Sequence, residues 1–226
     1  MNKFERLILQ IGESNFNKIK NTNVLVLGLG GVGGYTVESL IRSGIENITI
    51  VDFDKIDITN LNRQIISNLN NIGKLKTDEM EKRILSINNN CKIKKINEFI
   101  DTKNIDLIFS NNYDYIIDCC DHLETKKLII KNCTEKNIKF ITCTGTGNKL
   151  DPKKLEITDI RKTSYDPICK ILRSFVKKEH IKEKVLCCYS SEIPIKTNST
   201  TISSNSFVPA SAGLLIASFI IRDIIK

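Results

Sequence analysis

The chain has 226 residues, and 34 Lys+Arg against 26 Asp+Glu give it a formal net charge of +8. A hydrophobic fraction of 41% and a charged fraction of 27% exclude a disordered tail and a collagen-like repeat. This length makes one large domain or two small ones and needs no disulfide or metal staple. The basic excess admits a polyanionic partner such as nucleic acid, but a Lys/Ile/Asn-rich composition produces it equally.

Glu5 and Arg6 interrupt any apolar run at the start, which predicts no secretory signal and a cytoplasmic protein. Residues 3–20 carry Phe4, Leu7, Ile8, Ile11 and Phe16 at helical spacing, with a break near Gly12. The β-branched run over 23–27 predicts a buried parallel strand, followed by a glycine-rich segment and a helix that Gly44 closes. A second strand over 48–51 ends at Asp52. The spacing then predicts a helix over 74–88, strands over 91–97 and 113–117, a helix over 123–136 and a strand over 139–143. This alternation predicts an α/β fold with a doubly wound, mainly parallel sheet.

After Gly147 the character changes, and a smaller mixed α/β half is expected. It comprises a strand over 155–159, a helix over 166–179, a strand over 184–189 and a polar segment over 197–206. Residues 207–221 carry no charge but include Pro209, Ser211 and Gly213. The run is shorter than the ~20 residues that cross a bilayer, so a helix buried on the core or on a second subunit is expected, without stable membrane insertion.

Cysteines stand at 91, 119, 120, 133, 143, 169, 187 and 188, with no C-x-x-C and only His122 and His180 beside them. That pattern predicts reduced, mostly buried thiols in a cytosol-like compartment and no structural zinc site.

Gly28-x-Gly30-x-x-Gly33 lies between a strand and a helix. Such glycines let the backbone approach phosphates, and the helix N-terminus offers unpaired N–H groups and partial positive charge. Asp52, at the end of the next strand, suits the hydroxyls of a ribose. These features do not separate NAD from ATP. The segment holding Asn60, Asn62, Arg63 and Gln64, with Lys76 beyond it, favours ATP, because side-chain amides and cations suit a triphosphate and its pyrophosphate leaving group. Asp118 and Asp121 end the fourth strand, where doubly wound sheets bind ligands. A carboxylate there can hold Mg²⁺, and Asp121 is the better candidate because Asp118 can cap the next helix.

Gly28-Leu-Gly30-Gly31-Val-Gly33, Asp52-Phe-Asp54, Asn60-Leu-Asn62-Arg63-Gln64, Lys76 and Asp121 together resemble the ThiF/MoeB-type ubiquitin-activating-enzyme-like superfamily. The resemblance implies a single domain over 1–226, with a Rossmann-like ATP-binding half over 1–147 and a substrate and dimer-contact half over 148–226. It implies adenylation of a carboxylate by Mg-ATP with release of pyrophosphate. The glycines, Asp52, Asp54, Asn60, Asn62, Arg63, Gln64, Lys76 and Asp121 would serve ATP, and Asp121 the metal. It also implies a homodimer whose partner subunit delivers the arginine matching Arg63, and it admits a monovalent cation in the site.

Within the superfamily, the segments Thr144-Gly-Thr-Gly147, Leu150-Asp-Pro152, Ile157-Thr-Asp159, Lys162-Thr163, Asp166-Pro167 and Cys187–Glu192 look like the tRNA threonylcarbamoyladenosine dehydratase branch. That branch activates the threonyl carboxylate of a modified adenosine beside the tRNA anticodon and closes it to a ring. A sulfur-transfer protein is a further partner the resemblance admits. Cys187 is the alternative nucleophile, because related activators form a thioester at a downstream cysteine; a buried thiol is the other reading. The rival functions are an activator of a ubiquitin-like or sulfur-carrier C-terminus and a catalytically silent nucleotide-binding scaffold. Lys92, Lys94, Lys95, Lys126 and Lys127 read as outer-surface lysines. Those from Lys149 to Lys184, with Lys177, Lys178, Lys182 and Lys184 foremost, read as candidates for RNA.

Overall fold

A computed structural model describes residues 2–226; Met1, the first residue of the expected domain, lies outside the described residues. The elements run α1 (Glu5–Ile11), α2 (Glu13–Asn21), β1 (Asn23–Leu27), α3 (Gly33–Arg42), β2 (Asn47–Val51), α4 (Lys76–Ile87) and β3 (Lys92–Ile96). They continue as α5 (Asp106–Phe109), β4 (Tyr115–Asp118), α6 (Leu123–Glu135), β5 (Lys139–Cys143), β6 (Leu155–Asp159), α7 (Pro167–Lys178), β7 (Leu186–Ser190) and α8 (Phe207–Ile224). All the elements read from spacing are present. The four-residue α5 was not foreseen, because it is too short to show a period.

The strands form one sheet in the order β3-β2-β1-β4-β5-β7-β6. Every pairing is parallel except β6 with β7. The second half therefore extends the sheet of the first. β7 returns beside β5, and β6 closes the edge as its antiparallel neighbour.

Alternation along β1 divides the core. Val24 and Val26 pack with Ile48, Ile50, Ile117 and Ile141 on the face covered by α3 and α8. Leu25 and Leu27 pack with Val51, Ile116, Ile108 and Ile129 on the face covered by α5 and α6. A strand covered on both sides must be apolar at every position, which explains the unbroken Val/Leu run of β1. At the edge, β3 alternates instead, with Lys92 and Lys94 outward.

The apolar C-terminal helix is long and apolar enough to cross a membrane by length and composition. Here one of its faces, with Val208, Ala212, Gly213, Ile216, Ala217 and Ile220, is buried. At Gly213 it crosses α3 so closely that a Cβ would overlap the carbonyl of Val32 and lie 2.9 Å from the amide of Thr36. Thr36 Oγ1 donates to the carbonyls of Val32 (3.1 Å) and Gly213 (3.4 Å) at the same crossing. Gly213→Ala is expected to cost about 1–3 kcal/mol by overpacking, read as a lowered Tm; an unchanged Tm would show that the two helices can separate freely here.

Candidate active site

A cavity of about 670 Å³ opens at the C-terminal ends of β1, β2, β4 and β5, floored by Leu27, Val51, Cys119 and Cys143. The glycines around it do different work. Gly28 sits at φ +88°, and a Cβ there would lie 2.8 Å from the backbone nitrogen of Cys120. A Cβ on Gly33 would overlap the carbonyl of Gly28, so both positions serve the turn. Gly30 is different. Within 4 Å its Cβ would meet only Gln64 Nε2, at 3.8 Å, so the missing side chain leaves room in the cavity. Gly31 faces Pro209 of α8 and the stem of Arg63.

Asp52 is buried at the end of β2. Its Oδ2 accepts from the Leu29 amide (2.6 Å) and its Oδ1 from the Asp54 amide (2.9 Å). Burial raises its pKa above the ordinary carboxylate value, with Lys76 pulling the other way from 3.9 Å. Lys76, the buried first residue of α4, donates to Asp54 Oδ2 at 2.7 Å. The carboxylate pair therefore aims the ammonium into the cavity.

A 3-10 turn over Ile58–Asn60 carries the next group. Asn60 Oδ1 caps the turn by accepting from the Asp57 amide at 3.1 Å. Arg63 Nη1 donates to the Thr59 carbonyl (2.8 Å) and to Asn62 Oδ1 (3.0 Å), and the residue lines the cavity from the same chain. Arg63 thus lines the cavity of its own subunit. Gln64 is buried, and its Oε1 has no partner among the described residues. An orphaned acceptor and a vacant glycine face are what a polar ligand would complete.

Asn62 is a correction: it does not line the cavity. Its amide donates outward to the Ser204 carbonyl at 3.1 Å and tethers the polar segment. That segment crosses the mouth, where Ile202 and Ser204 form part of the wall. Asn148 Oδ1 accepts from Ser203 N at 2.8 Å, and Asn205 donates to the Lys149 carbonyl at 2.6 Å.

Asp121 is exposed on the cavity wall, and no side-chain hydrogen bond engages it among the described residues. Asp118 is fully buried. It accepts from Lys126 (3.0 Å), Thr142 Oγ1 (2.6 Å) and the Cys120 amide (3.1 Å), so it shapes the turn that presents Asp121. Lys126 corrects the outer-surface reading. It is 1% exposed, and its ammonium also donates to the Cys143 carbonyl at 2.6 Å. Burial alone would lower its pKa; the charge and hydrogen bond of Asp118, together with the neighbouring Cys120 and Cys143, outweigh that and raise it. The signal was in the sequence, since Lys126 shares the helical stripe of Ile129, Ile130 and Cys133.

Cys187 is also corrected. It is fully buried in β7 with Ile130, Cys169 and Leu172, off the cavity, and burial together with the neighbouring Cys169 pushes its thiol pKa well up. A protonated, inaccessible thiol is no nucleophile. Cys119 and Cys120 do line the cavity, and burial pushes both of them up too.

Among the lysines read as RNA contacts, Lys149 is buried, 3.4 Å from Asp166 and 2.9 Å from the Ser190 carbonyl. α7 begins beside the cavity and runs about 18 Å away from it, which carries Lys177, Lys178, Lys182 and Lys184 to the opposite end of the sheet.

Residues that sequence reasoning missed form an aromatic wall beyond Asp52. Phe53, Phe99 and His122 stand edge to face, with centroids 5.0 and 4.8 Å apart. Taken together, Asp52 suits ribose hydroxyls and the wall suits a base. Asn60, Arg63, Gln64, Lys76 and the α3 N-terminus suit phosphates, and Asp121 suits a metal beside them. Lys126→Met is expected to cost about 3–5 kcal/mol by stranding the buried Asp118 charge, with much of the loss recovered when Asp118→Asn is added; equal Tm values for the single and double variants would refute the pairing.

Residues 4–222 match the ThiF family. The tRNA threonylcarbamoyladenosine dehydratase of Bacillus subtilis is 36% identical over 243 aligned residues, spanning 100% of this chain and 96% of that protein. The Escherichia coli dehydratase is 34% identical across 80% of the chain and 70% of its own length. The crystal structure of the E. coli tRNA N6-threonylcarbamoyladenosine dehydratase in complex with ATP superposes with a TM-score of 0.92 at 30% identity, covering 98% of this chain and 93% of that one. The chain belongs to the ThiF family.

Proposed function

We propose that the chain is an ATP-dependent tRNA threonylcarbamoyladenosine dehydratase. The observation that carries this is the convergence of Asp52, Asn60, Arg63, Gln64 and Lys76 on one cavity, in a chain alike over its full length to dehydratases, one of which has been crystallised with ATP and with AMP.

A carboxylate oxygen of the threonyl group attacks the α-phosphorus in line and forms an acyl-adenylate with loss of pyrophosphate. The protein makes no bond of its own. Lys76 and Arg63 neutralise the developing charge, and Gln64 and Asn60 orient the phosphates. An amide nitrogen of the same nucleoside side chain then attacks the activated acyl carbon and expels AMP, which closes the ring. This needs proximity and no protein thiol, consistent with the burial of Cys187.

Asp121 is the residue for Mg²⁺. Among the described residues no cluster of three or more His, Cys, Asp or Glu side chains could hold a metal ion. One carboxylate beside a triphosphate is nonetheless the usual way magnesium is held, the phosphates and waters supplying the other ligands. When bound, the ion screens phosphate charge.

Residues 1–147 act as the ATP half and 148–226 as the substrate and dimer-contact half of one domain. The homodimer reading draws on the outer face of α8, where Phe207 and Leu214 are 46% and 48% exposed. A sulfur-transfer partner would find Cys119 and Cys120, and not Cys187, at the cavity. The cytoplasm, where tRNA is modified, is the proposed location.

AMP and pyrophosphate are expected from labelled ATP only when threonylcarbamoylated tRNA is present. Exchange that depends on a protein ending in Gly-Gly, or thermal protection by NAD but not ATP, would overturn the reading. Arg63→Ala is expected to lower turnover by about 10³. Cys187→Ser is expected to retain cyclisation, and its loss in a folded variant would restore an obligatory thioester.

A further inference from the structure

Between β6 and α7 the backbone takes a left-handed step at Tyr165, φ +56°. Side chains with a Cβ avoid this region, and a bulky residue there is held by its surroundings. The restraint is visible on the C-terminal side. Asp166 Oδ1 caps α7 by accepting from the Cys169 amide at 2.8 Å. Its Oδ2 lies 3.4 Å from the buried Lys149 ammonium and packs against Gly145 of the cavity wall. Pinned in this way, Asp166 forces the preceding residue outward at the rim. The Tyr165 ring is 66% exposed, and its hydroxyl has no hydrogen-bond partner among the described residues. The fold thus holds an aromatic ring in solvent and makes no internal use of it.

The position of this ring in the sheet gives it meaning. Asp52 and Phe53 follow β2 and Phe99 follows β3, while Gly145 and Ile168 lie at the β5 side of the same cavity. β2 and β5 are three strand spacings apart, about 14 Å. With nucleotide over β1 and β2, the carboxylate acceptor enters from the β5 side, past Tyr165. One exposed cation follows the ring on the first turn of α7. Lys170 has no salt bridge or side-chain hydrogen bond among the described residues. By contrast, Arg161 and Arg173 are engaged by the carbonyls of Glu183 (3.1 Å) and Thr163 (2.9 Å). An exposed ring followed in the chain by a free ammonium group suits an unpaired base, held by its face, and an adjoining phosphate, held by charge.

We propose that Tyr165 is a stacking platform for an unpaired base of the substrate RNA next to the modified adenosine, with Lys170 on an adjoining phosphate. The proposal rests on the tRNA reading above.

The chain contains no tryptophan, so Tyr165→Trp places a single indole at the site. Titration with an anticodon stem-loop RNA is expected to quench its fluorescence saturably. Tyr165→Asn tolerates the left-handed backbone and removes the ring. It is expected to raise KM for modified tRNA about tenfold, with kcat and the ATP-induced Tm shift unchanged, while Tyr165→Phe keeps the native KM. Lys170→Ala is expected to reduce the salt slope of RNA binding by about 0.7. An unquenched indole on protein that retains the RNA, or a native KM in Tyr165→Asn, overturns the stacking role alone. Failure of the unaltered protein to bind the stem-loop or to turn over modified tRNA overturns the tRNA reading and this role with it.

Discussion

The architecture depends on how closely the turn after β1 approaches the turn after β4. Gly28 has to be left-handed and bare because the Cys119–Cys120 peptide runs across the space a side chain would fill. Gly33 has to be bare because the turn folds back on Gly28. That contact sets the start of α3 at the edge of the cavity, and α8 then lies against the other side of the turn through Pro209 and Gly213. A chain segment 180 residues downstream thereby becomes part of the wall that the glycine turn begins.

Two buried lysine–carboxylate pairs hold the β4–β5 side of the cavity. Lys126 joins Asp118 to the end of β5, and Lys149 joins Asp166 to the end of β7. Each pair is desolvated, so its attraction contributes little net stability; either partner alone would be costly. What they add is position. Each ties the end of one strand to a turn that faces the ligand, and each ammonium is buried against local acceptors. Neither ammonium is available to RNA, although both belong to the basic excess that first suggested it.

The cavity is polarised along the sheet. Toward β2 and β3 it offers a carboxylate for hydroxyls and aromatic rings for a base. Over the centre it offers Arg63, Lys76 and the α3 N-terminus. Toward β5 it offers small residues, Thr144 to Gly147, beneath the strap that carries Ile202. This gradient suits a reaction in which a nucleotide and a carboxylate meet end to end, and the protein orients them without bonding to either.

Sequence alone determined the strand–helix alternation, the glycine turn and the set Asp52, Asn60, Arg63, Gln64, Lys76 and Asp121. These are local: the period of an element and the chemistry of a turn are written in consecutive residues. Pairing and burial were decided by the tertiary structure. The eight cysteines and the lysines look alike as letters. Burial made Cys187 a core thiol, placed Lys126 and Lys149 beneath the site, and turned Asn62 away to hold Ser204. Whether β7 would lie beside β5, and so bring α7 and Tyr165 to the same rim as the glycine turn, depends on contacts between residues far apart in the chain, which no local pattern encodes.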